Sequence, residues 1–155
     1  EVLGAGFSSD AGHLTDPTVA GPADAIRRAI ADAGIGPDEI EYVNAHGTAT
    51  RANDVTETHA IREVFGDHAD SLAVSSTKSM HGHAMGASGA IELALSILSL
   101  REKLLPPTLN LDEPDPECDL DYVPLDARRT SARMMISSSF GFGGLNGVVV
   151  CRVIR

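Results

Sequence analysis

IEYVNAHGTATRANDVTETHAIREVF, residues 40–65, sets an apolar run, a glycine-marked loop and a helical pattern in immediate succession. Ile40 to Ala45 is short and rich in β-formers, which predicts a strand. His46-Gly47-Thr48 follows at once, so His46 is placed at the strand's C-terminal end. Beyond it Val55, Thr58, Ile61, Arg62 and Phe65 carry a helical period, and Gly66 stops it. Asp54 and Glu57 fit a D-x-x-E capping box at the start of that helix. A strand feeding a helix through a loop is the unit of α/β proteins.

The flanks repeat the unit. Upstream, residues 2–8 read as a strand, and Gly12, Asp16 and Pro17 mark a surface loop. Pro22 to Ala33 places Ala25, Ile26, Ala29, Ile30 and Ala33 at helical spacing before Gly34 and Gly36-Pro37 break it. Downstream, Leu72 to Ser75 predicts a short strand, and Ser76–His83 a loop carrying Lys78 and two histidines. Ala84 to Leu100 is the longest apolar run. It is short for a membrane span and has Glu92 in its middle, so a buried core helix over about 85–100 is expected. Pro106-Pro107 breaks it, and the acidic, proline-broken stretch Asn110–Asp119 predicts irregular surface chain. Arg133–Ser138 and Gly147–Ile154 read as strands joined by the glycine-rich turn Phe140–Gly144. The pattern is α/β, a mixed β-sheet flanked by helices on both faces.

Composition narrows the function. The chain has 155 residues, 43% hydrophobic and 22% charged, enough for one domain with a real core. A net charge of −10, with 4% aromatic residues and no Trp, argues against a nucleic-acid partner. No membrane segment is expected. Two cysteines make no disulfide framework and no CxxC, which suggests a reduced, cytoplasmic chain. The sequence opens without Met, directly into a strand, so a piece of a longer polypeptide is expected.

Three loops carry chemistry: Asn44–Thr50 (NAHGTAT), Ser75–Gly89 (SSTKSMHGHAMGASG) and Ser137–Gly144 (SSSFGFGG). In open α/β sheets, loops after strand C-termini gather ligands. Taken singly each signal is weak. His13, His59 and His68 read as surface residues, and Lys78 alone as a solvated charge. His46, His81 and His83 lack the spacing of a strong zinc motif. No serine stands in GxSxG. Cys118 lies among acids that disfavour a thiolate, and Cys151 in an apolar strand. The chain offers proton-handling groups without a nucleophile.

In combination, VNAHGTAT, SSTKSMHGHAMGASGAIE, PPTLNLDEPDPECDLDYVP and SSSFGFGG, in this order, resemble the type II, elongating β-ketoacyl-acyl-carrier-protein synthases of the thiolase superfamily. The resemblance covers essentially the whole chain but only the C-terminal half of such an enzyme. It implies the C-terminal half of a thiolase-like fold, one of two similar α/β halves in five layers. The N-terminal half, expected to carry the nucleophilic Cys, would be absent from residues 1–155. The resemblance also implies His46 and His83 as catalytic histidines, Lys78 as the catalytic-loop lysine and Glu92 as a buried acid near it. Thr48 and Thr50 would contact a phosphopantetheine arm, and Phe142 would gate the site within the turn Gly141, Phe142, Gly143, Gly144. His81 stands where the family commonly has Thr, and receives no role. No cofactor is required, because phosphopantetheine arrives on the carrier protein. A structural monovalent cation is expected at Asn44, the Ala45 carbonyl, Glu92, Ser137 and Ser138. Implied partners are acyl carrier protein, malonyl and acyl thioesters, the N-terminal half and, at full length, a second copy in a homodimer.

The chemistry agrees with that implication. When a malonyl thioester loses CO2, negative charge develops on its thioester oxygen. Two neutral imidazoles donating N–H to that oxygen would form an oxyanion hole, each worth about 3–4 kcal/mol. If His83 begins the long helix, the positive helix end would disfavour its imidazolium. Alternatives are a polyketide or nodulation-type ketosynthase subunit, or a non-catalytic half-thiolase module that binds a carrier protein or partner.

Overall fold

The computed structural model describes residues 1–154. In chain order the elements are β1 (Val2–Ser9), α1 (Ala20–Ala33), β2 (Tyr42–Asn44), α2 (Arg51–Phe65), β3 (Ala73–Ser75), α3 (Lys78–His81), α4 (Ser88–Arg101), β4 (Leu104–Leu105), β5 (Arg128–Arg129), β6 (Met134–Gly141) and β7 (Leu145–Arg152). Five strands form one mixed sheet in the order β1-β7-β6-β2-β3, and β4 and β5 pair separately. β2 runs parallel to both β3 and β6, whereas β7 is antiparallel to β6 and β1.

Alternation along the strands sorts side chains to two cores. Val43, Ile136, Val148 and Val150 face Ile26, Ala29, Ile61 and Phe65 of α1 and α2. Tyr42, Met135 and Cys151 face the other side, with Leu100 of α4 and Leu105. Ile26, Ile61 and Ile136 are fully buried, and each such side chain contributes about 1.5–3 kcal/mol. α1 lies against β1 almost backbone to backbone. A Cβ at Gly6 would stand 2.1 Å from the Ala25 carbonyl oxygen and 2.4 Å from the Ala29 nitrogen. β1 is also an edge strand, and charged side chains of α1 occupy its outer hydrogen-bonding groups. Ala5 N–H donates to Asp32 Oδ2 at 2.9 Å, and Arg28 donates to the Phe7 carbonyl at 3.2 Å.

The structure corrects several expectations. α2 begins at Arg51 after an extended Thr50, so Asp54 and Glu57 lie inside it and form no capping box. Residues 76–83 are not all loop: Lys78–His81 close one helical turn. The apolar run is not a single buried helix. Met85–Ala87 make a tight 3-10 turn that opens on the left-handed backbone of Met85 (φ 53°) and precedes α4. α4 itself buries only the line Ser88, Glu92, Ser96 and Leu100, while Ile91 and Leu98 face outward. An apolar sequence on a helix that touches one sheet must leave its other faces uncovered. β6 extends through Phe140 and Gly141, which leaves Phe142, Gly143 and Gly144 as the turn.

Candidate active site

Parallel pairing of β2 and β3 aligns Asn44 with Ser75, so the loops that follow leave the sheet at one edge. Gly47 takes a left-handed turn (φ 40°) directly against Ser76. Its carbonyl accepts the Ser76 hydroxyl at 2.9 Å, which fastens the two loops together.

His46 and His83 converge. Their rings are 5.6 Å apart between centroids and stand edge to face, with an interplanar angle of 84°. Lys78, on the first turn after β3, donates to the His46 carbonyl at 2.6 Å and lies 3.3 Å from His46 Nδ1. Its Nζ is also 2.7 Å from Glu92 Oε1, with both side chains buried. Met85 N–H points at His83 Nδ1 at 3.0 Å, and the Ser88 hydroxyl lies 3.1 Å from the same atom. His83 therefore precedes α4 and touches its first residue, rather than beginning it.

These contacts fix the tautomers. Each Nδ1 faces a donor, a backbone amide at His83 and the Lys78 amine at His46. An Nδ1 that accepts leaves the proton on Nε2, so both rings present an Nε2–H. Burial, and then the neighbouring Lys78 charge, push the His46 imidazole down to about 3. His46 is therefore neutral at pH 7.

Glu57 completes the arrangement from below. Its two oxygens accept the backbone N–H groups of His46 (2.8 Å) and Gly47 (2.9 Å). Burial pushes its carboxyl up to about 7, against the pull of those two amides. Phe140 approaches His46 from β6, ring centroids 5.7 Å apart. Sequence reasoning read Glu57 as part of a capping box and Phe140 as part of the glycine-rich turn, and gave neither a role in the site. For Glu57 the available signal was a carboxylate on the same helix face as Ile61 and Phe65.

The remaining candidate residues are placed as follows. The Thr48 and Thr50 hydroxyls are 2.9 Å apart. Phe142 is 73% exposed at the hairpin tip. The turn is tied to the chain's first loop by Asp10 N–H to the Gly144 carbonyl and Gly143 N–H to the Leu14 carbonyl. His81 is exposed, with Nε2 3.2 Å from the Thr77 hydroxyl. Asn44 pairs in register with Ser137, and its amide nitrogen donates to the Glu92 carbonyl at 3.2 Å. Asn44 Oδ1, both Glu92 carboxylate oxygens and Ser138 Oγ are buried without an aligned hydrogen-bond partner among the described residues. Glu92 is thus paired with Lys78 by distance but not by a well-directed hydrogen bond. Orphaned buried oxygens of this kind are a donor set suited to a hard cation. Both cysteines are free. The thiol of Cys118 is raised chiefly by burial and only secondarily by the acids around it, and Cys151 is raised by burial.

Comparison with known proteins places the chain in a family. Residues 1–112 fit the model of the β-ketoacyl synthase C-terminal domain. A 3-oxoacyl-[acyl-carrier-protein] synthase 2 of Coxiella burnetii is 51% identical over 152 residues, 97% of this chain and 37% of that protein. Nodulation protein E of Rhizobium meliloti is 47% identical over 154 residues, 99% of this chain and 38% of its own length. Among solved structures, a type II polyketide acyl-carrier protein in complex with its ketosynthase bound to the hexaketide superposes with a TM-score of 0.95. That match has 36% identity and covers 99% of this chain and 38% of that one. The chain thus spans somewhat over a third of the relatives it matches. With the fold, the motifs and the family model in agreement over most of its length, the chain belongs to the β-ketoacyl synthases, as their C-terminal domain.

Proposed function

We propose that residues 1–155 supply the histidines and lysine of a 3-oxoacyl-[acyl-carrier-protein] synthase, an acyltransferase that condenses a malonyl thioester with an acyl thioester. The observation that carries this reading is the pair of converging imidazoles, each with Nδ1 occupied and Nε2–H free to donate. The malonyl C–C bond breaks, CO2 leaves, and the electron pair passes to the thioester oxygen, where the two Nε2–H groups hold the charge. The enolate carbon then attacks the acyl carbonyl and expels a cysteine thiolate contributed from outside these residues. Lys78 anchors His46 through its carbonyl and Nδ1, and Glu92 balances the Lys78 charge.

Acyl carrier protein is the proposed partner, supported by the carrier-bound ketosynthase that this chain resembles. Thr48 and Thr50 would hydrogen-bond the phosphopantetheine arm, with Phe142 in the turn at the mouth. The orphaned oxygens of Asn44, Glu92 and Ser138, with the Ala45 carbonyl and Ser137, would hold a monovalent cation. Such an ion would supply fixed positive charge. The outward apolar side chains of α4 support packing against the rest of the enzyme. Two free cysteines support a reduced, cytoplasmic location, and no helix among the described residues is long and apolar enough to cross a membrane. A nodulation-type synthase with the same chemistry is the second reading, supported by the 47% identity to nodulation protein E.

In the complete enzyme, His46→Ala or His83→Ala should depress CO2 release from malonyl-carrier protein by roughly two to three orders of magnitude. Acylation of the nucleophile, followed by labelled acyl transfer, should suffer far less. Undiminished CO2 release in both variants would remove the two histidines from the reaction.

A further inference from the structure

Lys78 rides on α3, a helix of four residues that carries no side-chain cap. A single helical turn does not hold its own shape, so its fixity comes from outside. Two hydroxyls supply it, one on each side of Lys78. Ser76 N–H donates to Thr108 Oγ1 at 3.4 Å, and Leu109 N–H donates to Ser79 Oγ at 3.0 Å. Ser79 Oγ donates in turn to the Ser76 carbonyl at 2.9 Å. The same two segments are thus bonded in both directions, with Lys78 between the bonds.

Thr108 is itself fixed. Its hydroxyl donates to the Tyr122 carbonyl at 2.7 Å. Its N–H donates to the Val123 carbonyl at 2.9 Å, and its own carbonyl accepts the Leu125 N–H at 3.1 Å. Val123 and Leu125 both have left-handed backbones, at φ 47° and φ 63°. A β-branched residue keeps that conformation only where its surroundings impose it. Every residue of the stretch 122–125 except Pro124, which has no N–H, is bonded to Thr108. The stretch is anchored to the sheet and to α2 as well. Val74 N–H donates to the Asp121 carbonyl at 2.8 Å, the Tyr122 hydroxyl meets that of Thr58, and Val123 is fully buried.

We propose that Thr108 and Ser79 are positioning residues for the condensation, a pair of hydroxyl staples that set where Lys78 stands and, through it, the His46 imidazole. The role rests on Lys78 anchoring His46 in the proposed reaction. The Lys78 amine reaches the His46 carbonyl at 2.6 Å and Nδ1 at 3.3 Å, so a displaced α3 would carry it off both atoms. Ser76 extends the effect, because its hydroxyl is committed to the Gly47 carbonyl beside His46. A lysine is a point charge on a long flexible stem, and only a fixed backbone makes its aim reproducible. The Thr108 hydroxyl gives its proton to Tyr122 and keeps a lone pair for Ser76. Valine has the same shape and offers neither group, whereas serine offers both.

The test is CO2 release from malonyl-carrier protein by the complete enzyme. The variants are Thr108→Val, Thr108→Ser and Ser79→Ala, each made in wild type and again together with Lys78→Met. Thr108→Val and Ser79→Ala should each lower kcat roughly 10-fold with KM changed much less, the pattern of a displaced positioning group. Thr108→Ser should return kcat to within about threefold of wild type, because the hydroxyl is restored. With Lys78→Met, which is slow by itself, Thr108→Val and Ser79→Ala should each cost less than about twofold more, since nothing is left to position. Hydroxyls that served stability alone would cost the same factor in both backgrounds. Equal factors in the two backgrounds, or full kcat in both Thr108→Val and Ser79→Ala, would overturn the staples. If Thr108→Val does not fold, Ser79→Ala and its combination with Lys78→Met decide. Lys78→Met with the wild-type rate would sink the anchoring role of Lys78, and the staples with it. A slow Lys78→Met beside fully active Thr108→Val and Ser79→Ala would overturn the staples alone.

Discussion

His46 is ringed by groups that reject its proton. The imidazole is buried, the Lys78 amine approaches Nδ1, and the His83 ring abuts it. Its titration is therefore expected well below the ordinary histidine range, near the value of about 3 that burial and Lys78 impose. Ring-proton shifts followed from neutral to acid pH should leave His46 neutral well below the ordinary histidine range. Titration of His46 within that ordinary range would show that the pocket is wetter than its burial implies. His81 illustrates the opposite case. It is exposed and its ring nitrogen meets the Thr77 hydroxyl, so His81→Thr should leave CO2 release within about twofold of wild type. Loss comparable to His83→Ala would move the chemistry onto His81.

At the scale of elements, the seam between β1 and α1 is packed backbone against backbone. Gly4 and Gly6 admit Ala29, Ala33 and Ala25 so closely that an added Cβ meets backbone atoms, which have no rotamer with which to yield. Gly6→Ala should therefore destabilise by upwards of about 3 kcal/mol, read as a drop in the denaturant midpoint. A midpoint unchanged from wild type would mean that α1 can slide off β1 at little cost. The glycines were legible in VLGAGF as strand residues, and Ala25, Ala29 and Ala33 as a small-residue face. That the two belong to each other was not legible. Only the antiparallel pairing of β1 with β7 brings the first strand beneath α1.

For the whole molecule, two buried groups pull stability in opposite directions with pH. His46 is depressed, so between its unfolded value of 6.5 and about 3 the unfolded chain binds a proton that the folded chain refuses. Stability is lost as pH falls through that window. Glu57 is raised, so between 4.5 and about 7 the folded chain binds the extra proton, and stability is lost as pH rises. Where the windows overlap the effects offset one another. His46→Gln should expose the Glu57 trend, recovering about 2 kcal/mol relative to wild type on going from pH 6.5 to about pH 5. Denaturant titrations at the two pH values give the comparison, and parallel curves would deny the His46 shift. Residues 1–155 alone should form no acyl-enzyme with acyl-carrier protein, because burial raises both thiols, Cys118 and Cys151. Labelling of either cysteine would reverse that expectation.

The sequence by itself determined the α/β class, the order of the main strands and helices and the two histidine-bearing loops that follow strand ends. Those features depend on local periodicity and on breakers such as Gly34, Gly66 and Pro106-Pro107, which act over a few residues. The motifs around His46, Lys78, His83 and Glu92 were legible for the same reason, since each is contiguous and long. Tertiary structure alone decided what crosses between segments. It turned Glu57 from a supposed helix cap into the support of a loop eleven residues earlier, put Phe140 rather than Phe142 against His46, and narrowed the buried part of α4 to one line. It also drew β6 and β7 into the sheet, although they lie beyond the residues 1–112 that the family model matches. Burial and hydrogen-bond partners are set by which surfaces meet, and a one-dimensional pattern specifies which face of an element is apolar but not what will cover it.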